Sequence, residues 1–381
     1  MSRRLLVSSV VRGAGVEKAS GFLHQVDLDH RRATHRCSVP ESAFRSRDPN
    51  PRGGSRGVRG LASLEDRLVI ANAERLMVYD PDWKPIADLS HPLLGGIHDV
   101  VADPGGVWAA STSADLLVRL DWSGRLTETW DWRQDQRLVR RLGFEKLPAV
   151  DLERDYRDPE SLRWGVPNVA HLNGVSHERS TGALLVSLGR VLSSRTYRRL
   201  VWLGRLGRLG HWLRLPRVSQ HRVSSKTREL ARPPASHHPG SASAILRVEQ
   251  GRNAELVHHS LGLTVPNHNV LQLGSWLIYN DSNSSSLVAM PTEGQSVLSV
   301  DPRHCLRVEI PGHPSFVRGL VSMTENEVWV GNQAPLAIYR IELRAGQIVE
   351  RHLLGGHPRE STYALCELPD SFADLPRNLL S

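Results

Sequence analysis

The chain has 381 residues, 40% of them hydrophobic, which is enough for one large domain or two ordinary ones. No apolar run approaches the roughly 18 residues that a membrane-spanning helix needs, so such a helix is excluded. The formal net charge is +8, but residues 191–243 alone carry +10, so the remainder is near neutral at −2. Nucleic-acid-binding proteins usually have a basic face built into the fold, and this distribution argues against that class.

The cysteines and the N-terminus bear on the compartment. Cys37, Cys305 and Cys366 lie far apart and are odd in number, so they predict neither a disulfide framework nor a metal cluster. The basic start is followed by an apolar stretch that is short and interrupted by serine, which predicts no secretory signal. We therefore expect a cytoplasmic protein, in a compartment that keeps thiols reduced.

The first predicted elements are three strands, with the sequences LLVSSVV, GFLHQVDLDH and ATHRCSVP. They resemble a repeat unit that lacks its opening strand. A complete unit then opens at Val58 and reads VRGLASLEDRLVIANAERLMVYD, and a similar one opens at Val317 and reads VRGLVSMTENEVWVGNQAPLAIYRIEL. Both predict an apolar strand, an acidic turn, a second alternating strand and a third strand.

Three further segments between these two fit the same pattern. They open at His98, Asn173 and His268, and glycine-containing turns fall where hairpins are expected. Alternating apolar residues rich in Val, Ile, Leu and Trp mark the strands. The C-terminal stretch STYALCEL (361–368) resembles an opening strand without a hairpin partner. It completes a sixth unit with the N-terminal strands.

These units predict an all-β fold, in which residues 1–381 form a single six-bladed β-propeller domain. Pairing of the N- and C-terminal strands would close the ring and remove free sheet edges. A propeller of five or seven blades, or a pair of β-sandwiches, is the alternative.

Two stretches do not fit the strand pattern and are predicted as insertions. Residues 131–165 have partly helical character and join two blades, whereas the basic residues 191–243 interrupt the third strand-forming stretch of the fourth unit. We interpret this basic insertion as a lid over the channel or as a solvated loop. A third interpretation is peripheral contact with an anionic membrane through residues 191–218, where Arg accompanies Leu and Trp.

The innermost strands of a propeller line its central channel, so residues at equivalent places on them converge there. The repeat aligns Arg59, His98, Asn173, His268, Arg318 and Tyr363. His171 lies two residues before Asn173 and is expected to point the same way, because alternate residues share a strand face. This concentration of His, Arg and Asn at one register predicts a functional site at this end of the channel.

The segment His171–Val175 (HLNGV), followed by the strand LLVSLGR that ends at Arg190, resembles the bacterial arylsulfotransferases that use no nucleotide sulfate. In that family an H-x-N motif precedes an apolar strand that ends in Arg. A later strand of the family carries a second histidine motif, for which this chain has PNHN (266–269) and then LIYND (277–281). Asn267 and Asn269 stand where the family has Gln and Asp.

The resemblance implies a six-bladed propeller that moves a sulfuryl group from an aryl sulfate-type donor to a phenolic acceptor through a sulfated histidine. By position, the nucleophile is His268. The positions that match the sulfuryl-binding groups of the family are His98, His171, Asn173 and Arg190. The resemblance implies a small anionic or aromatic substrate and no cofactor.

The residues themselves suit this chemistry. Sulfuryl transfer, like phosphoryl transfer, depends on positioning and on fixed donors around the transferred oxygens. Guanidinium groups provide planar donor forks, and an amide provides a further N–H donor. We therefore expect His98 or His171 to transfer a proton. The substrate-binding set is predicted as Asn173, Arg190, Arg59, Arg318 and Tyr363.

Two other functions fit the same residues. His98, His171 and His268 are three imidazoles on successive units, and three histidines with an open position suit Zn or Fe in a metal-dependent enzyme. The neighbouring arginines would crowd such a cation with positive charge. The second alternative is a non-catalytic propeller that binds a peptide or small ligand, because a propeller fold does not define an activity.

Overall fold

The structure is a computed structural model that describes residues 3–48, 55, 57–144, 147, 149–159, 168–178, 181–191, 242–249, 253–260, 267–282, 284–292, 305–312 and 316–379. The side chains at 190, 242, 259 and 260 lie outside that description. These residues form six antiparallel sheets of four strands each. The predicted all-β, six-bladed β-propeller is therefore confirmed.

We number the blades from the one that contains the N-terminus and describe each from the channel outward. Blade 1 consists of β24 (Glu360–Leu368), β1 (Arg4–Val11), β2 (Phe22–Asp27) and β3 (Arg32–Ser38). Blade 2 consists of β4 (Gly60–Leu64), β5 (Arg67–Ala71), β6 (Arg75–Tyr79) and β7 (Pro85–Ser90). Blade 3 consists of β8 (Ile97–Asp103), β9 (Gly106–Ser111), β10 (Leu116–Leu120) and β11 (Leu126–Trp130).

The other three blades follow in chain order. Blade 4 consists of β12 (Leu172–His177), β13 (Leu184–Val191), β14 (Ala242–Val248) and β15 (Ala254–Ser260). Blade 5 consists of β16 (His268–Leu273), β17 (Trp276–Asp281), β18 (Ser286–Pro291) and β19 (Leu306–Glu309). Blade 6 consists of β20 (Arg318–Thr324), β21 (Glu327–Asn332), β22 (Ala337–Glu342) and β23 (Gln347–Leu353).

The inner strands form a closed ring. Each of β24, β4, β8, β12, β16 and β20 contacts the next, and β20 contacts β24. Blade 1 closes this ring, because β24 pairs with β1 from Arg4 opposite Leu368 to Val11 opposite Glu360. The predicted union of the two chain ends in one blade is thus present, with the C-terminal strand innermost.

The hydrophobic core lies between the blades, with one cluster of buried side chains at each of the six interfaces. In β5, Leu68 and Ile70 pack against blade 1, whereas Val69 and Ala71 pack against blade 3. Successive side chains of a strand point to opposite faces, so each blade supplies one apolar face to each neighbour. The period-2 apolar pattern therefore specifies the stacking of the blades.

The connection between blades 3 and 4 is helical at its start. It contains a 3-10 helix (Trp132–Gln134) and then α1 (Gln136–Arg141). The Asp135 carboxylate caps α1 by accepting hydrogen bonds from the backbone N–H groups of Arg137 and Leu138. Trp132 and Leu138 pack into the core between the two blades. The predicted helical character of residues 131–165 is thus present over residues 132–141.

The basic insertion leaves from blade 4. Strand β13 ends at Val191 and β14 begins at Ala242, so the insertion separates the second and third strands instead of interrupting the third. Residues 192–241 lie outside the described residues, and the lid, membrane-contact and loop interpretations remain predictions. Over the chain that the structure describes, none of the helices combines the length and apolar character that a bilayer crossing needs.

A buried polar network joins the four strands of blade 1. The Glu360 carboxylate on β24 accepts a hydrogen bond from Ser9 Oγ at 2.5 Å and lies 2.7 Å from His24 Nε2 and 2.8 Å from Arg36 Nη2. Burial by itself raises the pKa of Glu360, but the hydrogen bonds from His24 and Ser9 outweigh it and lower this pKa to about 2. Glu360 therefore links the C-terminal strand to all three N-terminal strands.

We expect Glu360→Ala to lower the free energy of unfolding by about 3 kcal/mol, because it leaves buried polar partners without their shared acceptor. The pKa of this carboxyl is lower in the folded protein than its ordinary value of 4.5. Its contribution is therefore complete above pH 4.5 and is lost as the pH falls towards 2. Urea unfolding at neutral pH and at about pH 3 measures this, and the difference between wild type and variant should be smaller in acid.

The control for this experiment is Asp82→Ala, which removes an exposed carboxylate that lies 3.3 Å from Lys84 Nζ. Exposed ion pairs contribute little, so this variant should unfold almost as wild type does at both pH values. A difference between wild type and Glu360→Ala that does not depend on pH would contradict the role given to the carboxylate.

Candidate functional site

The six aligned residues lie within or next to the first four residues of the inner strands: Arg59, His98, Asn173, His268, Arg318 and Tyr363. In blades 3 to 6 the ladder between the first and second strands shifts register at this position or directly after it. Such a bulge bends a strand and redirects its side chains. The backbone there has positive φ at Asn269 (53°) and Gly319 (79°). The sequence accommodates this with Asn and Gly, which tolerate that conformation.

The three predicted histidines and Tyr363 form one cluster. The ring centroids of His98 and His171 are 5.0 Å apart, with the rings nearly perpendicular. His98 and His268 are 6.4 Å apart with an interplanar angle of 16°, and His98 lies 5.8 Å from the Tyr363 ring. The structure therefore brings together side chains from blades 1, 3 and 5 and from the segment that enters blade 4.

His268 is a buried, neutral base. Arg318 Nη2 lies 2.5 Å from His268 Nε2, and a guanidinium only donates, so Nε2 accepts and carries a lone pair. Burial lowers the pKa of His268 well below its ordinary value, and the positive charge of Arg318 lowers it further. At neutral pH this imidazole is therefore unprotonated at Nε2, which is the state a nucleophile requires.

Arg318 is a buried cation among aromatic rings. Its guanidinium carbon lies 4.2 Å from the centroid of Tyr363 and 5.1 Å from that of Phe316. Its Nε atom is buried without a hydrogen-bond partner, and within the described part of the chain no carboxylate forms an ion pair with Arg318. Burial lowers its pKa to about 10, so the group is still charged at neutral pH. A buried charge needs a compensating partner, which makes this position suited to an anion.

Arg59 approaches the same tyrosine from the neighbouring blade. Its Nη1 donates a hydrogen bond to the Tyr363 hydroxyl at 3.1 Å, and its guanidinium carbon lies 5.1 Å from the centre of that ring. Tyr363 is thus between two guanidinium groups. The two predicted arginines and the predicted tyrosine form one connected unit.

His98 is a second neutral imidazole. Its Nδ1 lies 2.7 Å from the carbonyl oxygen of Gly96, which only accepts, so Nδ1 carries the proton and Nε2 the lone pair. Burial lowers the pKa of His98 well below its ordinary value, and the neighbouring His171, Arg59 and Arg318 lower it further. This ring is therefore ready to accept a proton at Nε2.

His171 is held in place by a carboxylate on blade 3. Asp115 accepts hydrogen bonds from the backbone N–H groups of Val169, Ala170 and Leu172, at 2.8 to 2.9 Å, and so fixes the turn that contains His171. His171 itself has a φ of 53°, and its Nδ1 lies 3.3 Å from Asn168 Oδ1. The His171 side chain lies in the cluster, as expected, although this residue precedes β12 rather than lying within it.

Two predicted substrate-binding residues are less well placed. Asn173 is buried, and its Nδ2 donates to the backbone carbonyl of Asn267 at 2.5 Å, so one of its amide hydrogens joins blades 4 and 5. Its role as a substrate donor stays a prediction. The backbone of Arg190 lies in β13, but its side chain falls outside the described residues, and its role stays a prediction as well.

Sequence reasoning missed Phe316, whose ring centroid lies 5.5 Å from that of His268. Phe316 precedes Arg318 by two residues, as His171 precedes Asn173, so the same rule would have found it. It also missed Arg12, which approaches Phe316 from blade 1, with its guanidinium carbon 5.4 Å from the ring centroid. Arg12 follows β1 outside the aligned register, so no repeat pattern marks it.

A layer of small and hydrogen-bonded residues lies beside this cluster. Asp99 accepts hydrogen bonds from Val175 N at 3.3 Å and from Asn269 Nδ2 at 3.4 Å, and Asn269 Oδ1 accepts from Gly319 N at 2.9 Å. These contacts connect the inner strands of blades 3, 4, 5 and 6. Burial raises the pKa of Asp99 to about 7, against the lowering effect of these hydrogen bonds. A site residue next to His98 is thus a weak acid at neutral pH.

The described residues contain no group of three or more His, Cys, Asp or Glu side chains arranged to hold a metal ion. The predicted alternative ligands His98, His171 and His268 therefore form a ring cluster rather than a ligand set. A cavity of about 580 Å³ lies elsewhere, on the outer part of blade 1, with Arg32, His35 and Asp374 among its polar lining. It contains none of the predicted site residues.

Comparison with known proteins supports the fold alone. No protein-family model matches the chain, and no curated protein matches it. Among solved structures, a protein of unknown function from Bacteroides caccae is 10% identical with a TM-score of 0.51, over 97% of this chain and 100% of that one. The nidogen/laminin complex gives 9% identity and a TM-score of 0.53, over 95% and 97% of the two chains.

Virginiamycin B lyase from Staphylococcus aureus is also similar, at 12% identity and a TM-score of 0.42, over 79% of this chain and 71% of that one. At such identities the first two likenesses show the fold alone. The fold and the cluster together define a six-bladed β-propeller with a cationic, histidine-containing site at one end of its channel.

We expect inorganic sulfate to raise the Tm of the wild-type protein and Arg318→Gln to remove most of this increase, because the buried guanidinium provides the charge that the anion compensates. At a sulfate concentration about 100 times the Kd, binding contributes about 2.7 kcal/mol of stability. Thermal unfolding at constant ionic strength measures the shift. Arg340→Gln is the control, since that guanidinium pairs with Glu327 at 2.6 Å. An equal shift in Arg318→Gln and wild type would contradict anion binding at this site.

Proposed function

We propose that the protein transfers a sulfuryl group from an aryl sulfate-type donor to a phenolic acceptor through an N-sulfated His268. The observation that supports this most is the contact between the lone pair of a neutral, buried imidazole and the buried guanidinium of Arg318. A nucleophile for sulfur and a donor for the sulfuryl oxygens are thereby adjacent. The sequence resemblance to arylsulfotransferases points to the same histidine.

In the first half-reaction, the His268 Nε2 lone pair forms the N–S bond while the bond from sulfur to the aryl oxygen breaks. The aryl oxide leaves with the electron pair. Arg318 turns from Nε2 to the sulfuryl oxygens, and Arg59 donates from the opposite side of Tyr363. Because His98 and His268 both rest unprotonated at Nε2, neither has a proton to give to the leaving group. This favours aryl sulfates, whose oxide is a far better leaving anion than an alkoxide.

In the second half-reaction, a phenol oxygen attacks sulfur, the N–S bond breaks, and its electron pair returns to His268 Nε2. The phenol proton moves to the lone pair of His98 Nε2, on a ring whose centroid lies 6.4 Å from that of His268, and then to solvent. Phe316 and Tyr363 flank the arginine and offer aromatic faces for the two phenyl groups. His171, whose ring centroid lies 5.0 Å from that of His98, is the second group available for proton transfer.

A second candidate is an anion-binding propeller without catalysis. The 2.5 Å contact between Arg318 Nη2 and His268 Nε2 favours it, because in this arrangement the lone pair is already used. An anion would then replace His268 as the partner of Arg318 without covalent chemistry. The two functions differ in whether a covalent intermediate forms.

We expect wild type to release aryl oxide from 4-nitrophenyl sulfate and to gain one SO₃ group, about 80 Da, on the peptide that contains His268. His268→Ala should lose both signals. His98→Ala should still form the adduct but pass it to phenol about 100-fold more slowly, since it lacks the base of the second step. Absorbance at the aryl oxide band, together with peptide mass spectrometry, measures these effects.

His30→Ala is the matched control, because His30 is an exposed imidazole at the turn after β2 and contacts only Asp27 in the described structure. It should behave as wild type. Absence of both release and adduct in wild type across a panel of aryl sulfates would overturn the transferase proposal. Sulfate binding that still depends on Arg318 would then favour the binding propeller.

A further inference from the structure

A serine hydroxyl lies behind the His268 ring. Ser282, directly after β17, has its Oγ 2.7 Å from His268 Nδ1 and 2.8 Å from the carbonyl oxygen of Val317. A hydroxyl has one proton, and a carbonyl oxygen only accepts, so that proton goes to Val317. Ser282 Oγ therefore accepts from His268, and the Nδ1 atom must carry the hydrogen.

The same arrangement recurs in blade 3. Thr112, directly after β9, has its Oγ1 2.9 Å from His98 Nδ1, and it donates to the carbonyl oxygen of Leu172 at 2.5 Å. Leu172 precedes Asn173 as Val317 precedes Arg318, so each hydroxyl proton goes to the equivalent carbonyl of the next blade. In both blades the hydroxyl follows the histidine by 14 residues.

The hydroxyls occur where the inner strand carries histidine at the aligned position. In blades 1, 4 and 6 the equivalent register on the second strand is occupied by residues without a hydroxyl, namely Val10, Gly189 and Gln333. The inner strands of those blades carry Tyr363, Asn173 and Arg318 instead. A hydroxyl at this register is thus associated with a histidine on the inner strand and is not a general feature of the blades.

We propose that Ser282 is a positioning residue that holds His268 in the neutral tautomer with hydrogen at Nδ1 and the lone pair at Nε2. Thr112 is the equivalent hydroxyl beside His98, whose Nδ1 hydrogen is already accepted by the carbonyl oxygen of Gly96. The partner of one ring nitrogen decides which nitrogen is free, and at His268 that partner is an acceptor whose own proton is committed to the next blade. Blade packing therefore decides the chemical state of the His268 ring.

The consequence for the reaction rests on the proposed function. Sulfated His268 carries SO₃ on Nε2 and hydrogen on Nδ1, so the ring becomes an imidazolium. Its Nδ1–H bond to Ser282 then becomes charge-assisted and stronger. Ser282 would thus favour the intermediate over the free imidazole, which is the direction a nucleophile in a covalent mechanism requires.

The tautomers are measured without any substrate. Long-range ¹H–¹⁵N spectra of the full chain labelled with ¹⁵N-histidine separate a protonated ring nitrogen from one with a lone pair, and His268→Asn and His98→Asn assign the signals. We expect the Nδ1–H pattern for both rings in wild type. Because Arg318 also donates to His268 Nε2, Ser282 is tested in the Arg318→Ala background. There the His268 pattern should persist with Ser282, be lost on adding Ser282→Ala and be kept with Ser282→Thr. Thr112→Val should leave the His98 pattern unchanged, because the Gly96 carbonyl oxygen still accepts from Nδ1.

The control is Ser286→Ala in the same blade, a fully buried hydroxyl that bonds to Ser284 and has no hydrogen bond to a histidine among the described residues. It should leave both patterns unchanged. With aryl sulfate, Ser282→Ala should form the adduct about tenfold more slowly, because one hydrogen bond to His268 is lost. Ser282→Thr should form it at nearly the wild-type rate.

An Nε2–H pattern at His268 in wild type would overturn the inference, as would an unchanged His268 pattern when Ser282→Ala is added to Arg318→Ala. The proposed function can fail independently of this positioning role. The expected tautomers without any adduct or turnover would leave the positioning role in place and reject sulfuryl transfer.

Discussion

The site depends on closure of the ring. Tyr363 and Glu360 lie in the same short stretch of β24, so the strand that pairs with the N-terminal blade also brings an aromatic ring between Arg59 and Arg318. If β24 left the circle of blades, the cluster would lose the Tyr363 side chain, and blade 2 would face a gap. Stability of the closing blade and the geometry of the site are therefore linked through one strand.

Within the site, the positive charges and the neutral state of the imidazoles stabilise each other. Guanidinium groups near the histidines and burial of their rings oppose protonation, so the rings keep lone pairs. A neutral ring can in turn accept a hydrogen bond from Arg318, which a protonated ring could not do. The site is thus short of negative charge while it is rich in acceptor nitrogens. A ligand that brings an anionic group and an electrophilic centre fits both properties.

The backbone prepares this arrangement before any ligand arrives. Bulges at equivalent points of four inner strands direct side chains into the channel, and the neighbouring layer of Asp99, Asn269 and Gly319 connects the strands on the other side of the bulge. Carbonyl groups next to the aligned residues also receive the protons of Thr112 and Ser282. Preorganised donors of this kind need no rearrangement during a reaction.

Much of the architecture could be predicted from the chain because a repeat records it locally. Alternating apolar residues, turn residues and the VRGL openings mark the strands, and the unpaired strands at the two ends indicate closure. The aligned positions then predict which side chains meet, including His98, His268, Arg59 and Arg318. His171 followed from the rule that alternate residues share a face. Phe316 obeys the same rule with respect to Arg318.

Other features required the tertiary structure, because they arise between blades and not within one repeat. The amide of Asn173 is used by the carbonyl of Asn267, a contact across a blade interface that no spacing reveals. Arg12 reaches Phe316 only because closure places blade 1 beside blade 6. The sequence by itself determined the blades and the register of the site, since both follow from the local periodicity of the repeat. Packing of the blades decided the surroundings of the His268 nitrogens, because Arg318 of the next blade contacts Nε2 and the Val317 carbonyl takes the proton of Ser282.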